Sequence, residues 1–209
     1  MAAPQVSGAA VLLADWFRGF NSGKDPSPAF VKAMLVNTAV DMTANAAGTI
    51  WNIEEGWGRV NLGNLFSSSL PRLMRDQKDT LGAAGETRTF RTRVVDTARP
   101  LKVTLAWSDA PGAVNANPAL VNDLDLTVTL GGSTYRGNVF CGGWSGPGGS
   151  ADRLNNLENV YVQSASGPAT ITVSAANVPG DGVPYNADLT DQDFAFVCSN
   201  CSTLSPLRI

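Results

Sequence analysis

Met1-Ala-Ala-Pro-Gln-Val-Ser-Gly-Ala-Ala-Val-Leu-Leu-Ala-Asp-Trp-Phe-Arg-Gly-Phe20 opens the chain. It reads as one helix that is apolar nearly all round, because Ala2, Ala3, Val6, Ala9, Ala10, Val11, Leu12, Leu13, Trp16 and Phe17 leave no continuous polar face. Pro4 suits the first turn, where a missing N–H costs nothing. Ser7 and Gly8 let a neighbouring backbone approach, and Gly19 with Asn21-Ser22-Gly23 supplies the stop. A helix apolar on every side belongs inside a core, and residues 1–70 hold too little else to build one. The expectation is that its packing partners lie outside this chain, upstream of Met1.

Working outward, Ser27 reads as an N-cap with Pro28 at the first helical position. Phe30, Val31, Met34, Leu35 and Thr38 then predict a second helix over 29–40. Residues 41–56 read as a loop broken by Asn45, Gly48 and Asn52, and Val60, Leu62, Leu65 and Phe66 begin a short helix ending near Ser69. The polar run from Leu70 to Gly85, with Arg72, Arg75, Asp76, Lys78 and Asp79, reads as a boundary: a helical unit over 1–75 and a linker over 76–85.

Beyond it the apolar period changes from 3.6 to 2. Strands are predicted at Thr87–Val95, Leu101–Trp107, Leu124–Leu130, Leu157–Val162, Ala169–Ala175 and around Phe194 and Phe196, with Gly131-Gly132-Ser133 turning the chain toward Tyr135. In Leu101–Trp107 the odd positions face a core, while Lys102 and Thr104 face out. Short strands with turn signals between them predict an all-β antiparallel sandwich of the jelly-roll type over 86–198, followed by a tail over 199–209.

Composition narrows the function classes. The 209 residues are 44% hydrophobic and 16% charged, with 15 basic and 18 acidic side chains well mixed to a net charge of −3. There is no basic stripe of the kind that holds nucleic acid. The apolar run Ala9–Ala14 is too short to span a membrane, and no basic segment precedes it as in a secretory signal. The chain has no His, so it holds no imidazole to take a nucleophile's proton and no His-based metal site.

Met1-Ala-Ala-Pro-Gln-Val-Ser-Gly-Ala-Ala10 resembles the segment that follows the nucleophile in subtilisin-like serine proteases, where Gly-Thr-Ser directly precedes Met-Ala-Ala-Pro. Gln5 stands where that family usually has His. Asn37-Thr38-Ala39 and Gly56-Trp57-Gly58-Arg59-Val60-Asn61 resemble later segments of the same domain. Leu105-Ala-Trp-Ser-Asp-Ala-Pro111, Leu120-Val-Asn-Asp-Leu-Asp-Leu126 and Arg153-Leu-Asn-Asn-Leu-Glu-Asn-Val160 resemble the C-terminal β-barrel appended to a bacterial-type branch of the family.

The resemblance implies the end of a subtilisin-type α/β catalytic domain with its barrel, taken from an extracellular endopeptidase that works through an acyl-serine intermediate on polypeptide substrates. The nucleophile is expected immediately before Met1, flanked by Met1, Ala2, Ala3 and Pro4. The Asp, the His and the oxyanion-hole Asn would come from the missing N-terminal catalytic segment, and this chain alone is expected to be inactive. Two rival readings are a stand-alone sandwich that binds carbohydrate or protein, and one half of a split protease.

Asp123 and Asp125 sit two apart on one predicted strand and so share a face. Asp109, Asp152 and Glu158 lie in or beside segments that can approach them, with Asn122, Asn155, Asn156 and Asn159 as further oxygen donors. Such a set suits Ca2+, which takes six to eight oxygens in flexible geometry, and barrels of the resembled branch are calcium-stabilised. The competing reading is the solvated face of an alternating strand. Three cysteines without a His do not close a structural zinc site, so a disulfide from Cys141 to Cys198 or Cys201 is expected, leaving one thiol free. Trp107, Trp144, Tyr135, Tyr161 and Tyr185 are candidates for stacking on sugar, with Trp107 expected in the core and Trp144 on an exposed loop.

Overall fold

Ser27 begins the helix that ties the molecule together. Its hydroxyl accepts the Phe30 N–H at 2.9 Å, and Pro28 occupies the first turn, as an N-cap followed by proline requires. A computed structural model describes residues 2–42 and 49–203; Met1 and the expected breakers Asn45 and Gly48 lie outside the described residues. The helices are α1 (Ala3–Phe20), α2 (Pro28–Thr38) and α3 (Leu62–Phe66). The strands are β1 (Arg72–Leu81), β2 (Thr87–Val94), β3 (Leu101–Ala106), β4 (Asp123–Leu130), β5 (Ser133–Cys141), β6 (Trp144–Pro147), β7 (Leu157–Val162), β8 (Pro168–Asn177), β9 (Gln192–Ser199) and β10 (Cys201–Thr203).

These strands form two antiparallel sheets, one ordered β1-β9-β3-β7 and the other β10-β2-β8-β4-β5-β6. The pairing is nested: β4 with β5, β3 with β7, β2 with β8, and β1 with β9. One apolar layer joins the sheets, with Leu101, Val103, Leu105, Val160, Phe194 and Phe196 from the first and Leu124, Leu126, Val128, Ile171 and Val173 from the second. Alternation puts these residues inward, and the chain folds as a two-sheet sandwich.

The opposite face of the four-stranded sheet is also buried. Ala106, Leu157, Ala195 and Val197 pack there against Leu13, Phe17, Phe30, Ala33, Met34 and Leu65 of the three helices. Thr104, expected to face solvent beside Lys102, is therefore fully covered. From α2, the Asn37 amide nitrogen reaches Lys102 O (3.1 Å), Thr104 Oγ1 (3.0 Å) and Val197 O (3.2 Å), and its carbonyl oxygen accepts from the Ser199 hydroxyl. Thr104 passes the network on, donating to Asn159 Oδ1 at 2.7 Å.

Helix α1, expected to find its packing partners outside this chain, is not enclosed by the described residues: Ala9, Leu13 and Phe17 form a single buried stripe, while Val11 is 67% and Leu12 51% exposed and Val6 and Phe20 also face out. Among the described residues α2 and α3 lie against one side of it and nothing lies against the other. Three expectations are corrected. The polar stretch read as a boundary and linker is strand β1, an edge strand with a bulge between Asp76 and Thr80 where Gln77 has a φ of 46°. Residues 201–203, read as tail, pair with β2 as β10. Finally, the disulfide joins Cys198 to Cys201, not to Cys141, because the turn at Asn200 (φ 66°) brings their Cα atoms to 5.7 Å. Cys141 is free and exposed at the end of β5.

Replacing Asn37 with Ala strands several buried polar groups between α2 and the sheet. Unfolding free energy is expected to fall by about 2–3 kcal/mol, read as a lower urea midpoint at an unchanged m value. A midpoint equal to that of the wild type would show that the network does not couple helix to sheet.

Candidate functional site

The acidic residues singled out in the sequence meet where β5 leaves its partner. β4 and β5 pair from Leu130↔Ser133 back to Thr127↔Arg136. At Asn138 (φ 59°) the chain turns toward β7, whose Asn159 N–H donates to Asn138 Oδ1 at 2.9 Å while Asn138 Nδ2 donates to Leu157 O at 2.8 Å. Leu126 lies just beyond the last β4–β5 pair, and its N–H donates instead to Glu158 Oε2 at 2.6 Å. Gly137 is required here, since a Cβ would overlap the Glu158 carboxyl group.

Glu158 is 1% exposed, and its second oxygen has no hydrogen-bond partner among the described residues. Burial pushes its pKa up to about 9; the Leu126 N–H opposes the shift, and the charges of Asp125, Asp152 and Asp123 add to it. At neutral pH the group is a neutral acid.

Above it sits an ion cluster. The Arg153 guanidinium, half exposed, contacts Asp123 Oδ2 at 3.2 Å and grips both oxygens of Asp125, and the side chains of Asp123 and Asp125 are mostly covered (12% and 15% exposed). These carboxylates are therefore not an open solvated face. Burial raises the pKa of Asp123 against the pull of Arg153. Asp152 goes the other way: burial works to raise its pKa, but hydrogen bonds from Asn138 and Asn155 side chains and from the Leu154 and Asn155 N–H groups outweigh it. The bond to Asp125 raises the pKa of Arg153 in turn.

The remaining candidates are engaged in the fold. Asp109 accepts the N–H groups of Ala110, Val121 and Asn122, at 2.9, 2.7 and 2.7 Å, and so closes its own loop. Asn122 bonds Gly180 and Gln192, Asn156 donates to Trp107 O, and Asn159 accepts from Thr104. Among the described residues no three Asp, Glu or Cys side chains converge as a metal centre. Arg153, which the sequence reading passed over, supplies a cation between Asp123 and Asp125. Its place directly after Asp152 was the signal available.

Of the aromatic candidates, Trp107 is buried with its N–H on Asn122 O, and Tyr161 is buried under the Lys102 ammonium, 4.7 Å from the ring centroid. Trp144 and Tyr135 are half-buried, and Tyr185 is fully exposed. The exposed indole is Trp51, which the sequence reading did not single out.

No protein-family model matches the chain. It is 29% identical over 185 residues to a Dictyostelium discoideum protein named "Serine protease/ABC transporter B family protein tagA", a match that covers 78% of this chain and 10% of that protein. The chain thus spans about a tenth of the length of the curated relative it matches. No helix among the described residues is long and apolar enough to cross a membrane.

Unfolded, the Glu158 carboxyl titrates near 4.5, and folded near 9. The stability contributed by its protonated form is therefore full below about pH 4.5 and lost as the pH climbs through about 9. Glu158→Gln keeps an oxygen for the Leu126 N–H and removes the titration. The melting temperature of the wild type is expected to fall between about pH 5 and pH 9 more steeply than that of the variant. Parallel profiles would overturn the assignment.

Proposed function

We propose that this chain is the C-terminal portion of a subtilisin-like serine endopeptidase, comprising the last helices of the catalytic domain and an appended jelly-roll barrel. The observation that carries the reading is helix α1. It begins inside the Met-Ala-Ala-Pro motif, at Ala3, it starts without a side-chain cap, and it turns Val6, Val11, Leu12 and Phe20 toward solvent. A helix with one buried stripe and an open apolar back is what remains when the sheet of an α/β domain is taken away. The relative whose name begins "Serine protease" supports the same reading. The nested strand pairs support the jelly-roll assignment, since a long antiparallel ribbon rolled over itself gives this order.

In such a parent the nucleophilic serine precedes Met1, at the N-terminal end of α1. The uncapped N–H groups and dipole of the helix would favour the negative charge that develops there during acyl transfer. Ala2, Ala3 and Pro4 form the turn below it and carry no proton. The imidazole, the Asp and the oxyanion donor come from the upstream segment, so the parent cleaves a polypeptide and this chain alone does not. The barrel's part is mechanical: it is bolted to α2 through Asn37 and a shared apolar layer. Export of the parent accords with the Cys198–Cys201 disulfide.

Two measurements test this. Fluorophosphonate labelling of the natural protein is expected to modify a serine directly ahead of Met1, with the 209-residue chain alone giving no label and no inhibitor-sensitive peptide hydrolysis. A stop codon in frame just before Met1, or labelling within this chain, would refute the proposal.

Calcium at Asp123, Asp125 and Asp152 is a further proposal for the same barrel, supported by the unpartnered buried oxygen of Glu158 beside them. Asp109 is not part of it, its oxygens being taken by backbone. A cation there has to displace Arg153 from Asp123 and Asp125, and to draw in Asp152, which does not converge with them as the fold stands and whose oxygens accept from Asn138, Asn155 and Leu154. Millimolar Ca2+ is expected to raise the melting temperature, and more so in Arg153→Ala; equal melting in calcium and in chelator rules it out.

A further inference from the structure

A cavity of about 440 Å³ opens between α2, the turn joining Trp51 to Trp57, and the β5–β7 side of the barrel. Its size lies toward the low end of the roughly 300–1,000 Å³ typical of small-molecule sites. Part of its lining is aromatic. Trp57 lies 5.6 Å from Phe140 and 6.3 Å from Trp51, measured between ring centroids. Trp57 and Phe140 rest on the buried Tyr161, at 6.2 and 5.6 Å, and are held in place by it.

Trp51 is different: it is 59% exposed. Yet it is not on a loose loop. Asn52 Oδ1 accepts the N–H groups of Glu54 and Glu55, its amide donates to Glu55 Oε1 at 2.7 Å, and Gly56 N–H closes the turn on Asn52 O at 2.9 Å. A large indole is thus presented to solvent on a fixed turn, which costs little order to a ligand that stacks on it.

The rest of the lining is polar, with Lys32, Asp152, Asn155 and Asn156. The Lys32 ammonium gives one hydrogen bond to Asn156 Oδ1 at 2.7 Å and, among the described residues, keeps two N–H groups to spare. The Asn155 amide nitrogen is committed to Asp152 at 2.7 Å, while its carbonyl oxygen has no partner among the described residues. Donor and acceptor therefore stand beside an indole face.

We propose that this cavity binds a neutral pyranose unit of an oligosaccharide. A pyranose offers an apolar C–H face to Trp51 and hydroxyl groups at its rim, each able to donate and accept, which answers Lys32 and Asn155 together. A proline-rich peptide stacks on indole but brings carbonyl acceptors without matching N–H donors at its prolines, leaving the Asn155 carbonyl unserved. An acidic sugar sets its carboxylate near Asp152, a repulsion that Lys32 offsets only in part.

Tryptophan fluorescence and titration calorimetry on the whole chain decide it, with chitohexaose, cellohexaose, mannohexaose and xylohexaose as the probes. At least one is expected to bind saturably at millimolar concentration or below. Trp51→Ala is expected to weaken it about tenfold with the melting temperature unchanged, and Asn155→Ala to weaken it as well. Binding by none of the four, binding only by a polyproline peptide or by hexagalacturonate, or wild-type affinity in Trp51→Ala would each overturn the proposal. None of these outcomes touches the serine-labelling test, so the two readings fail separately.

Discussion

The four-stranded sheet cannot stand with one face in water. Strands β3, β7 and β9 are buried along nearly their whole length on both sides, so their outer face needs a cover as much as their inner face needs the second sheet. Helix α2 is that cover. Its apolar residues meet Ala106, Leu157, Ala195 and Val197, and Asn37 reaches into the middle of the face to answer Thr104 and two backbone carbonyls. A polar side chain at the centre of an apolar contact costs free energy unless every group around it is matched. Here it fixes where the helix sits, because a shifted helix would leave Thr104, Ser199 and the carbonyls of Lys102 and Val197 without their partner together.

The acidic cluster follows from the same economy of backbone groups. When β5 turns from β4 toward β7, something must take the Leu126 N–H, and Glu158 on the facing strand is within reach. Buried and uncharged, that carboxyl behaves as a polar strut between the sheets. Asp123 and Asp125 lie further out, where the Arg153 guanidinium bonds both. One strand departing from its partner thus sets out a neutral acid and an ion cluster a few residues apart.

The sandwich was legible because its central strands alternate, and the positions inward in the pattern are those inward in the fold. What escaped has physical reasons. β1 carries Arg72, Arg75, Asp76, Lys78 and Asp79 because it is an edge strand, and its bulge breaks the alternation. Thr104 looked solvated because a pattern of period 2 tells one face from the other and says nothing of what covers each. The disulfide depended on a tight turn at Asn200, which sequence spacing does not separate from a longer closure through Cys141. Among site residues, Asp123, Asp125, Asp152 and Glu158 were found from their oxygens. Arg153 escapes that criterion because it offers donors, and Asp109 meets it although its partners are its own loop. Trp51 went unnoticed beside breaker residues.

The nesting of strand pairs bears on the order in which the molecule can assemble. The innermost pair, β4 with β5, is joined through Gly131 and Gly132, whereas the outermost, β1 with β9, joins residues 72–81 to 192–199. Loop-closure entropy favours zipping from the inner hairpin outward. On the ribosome, α1 and α2 emerge before every strand of the sandwich, yet their floor includes β9, which is made after β1 to β8. Through that interval the helical segment has no complete floor to land on, and its greasy surfaces depend on chaperones or on other chain until β9 slots in.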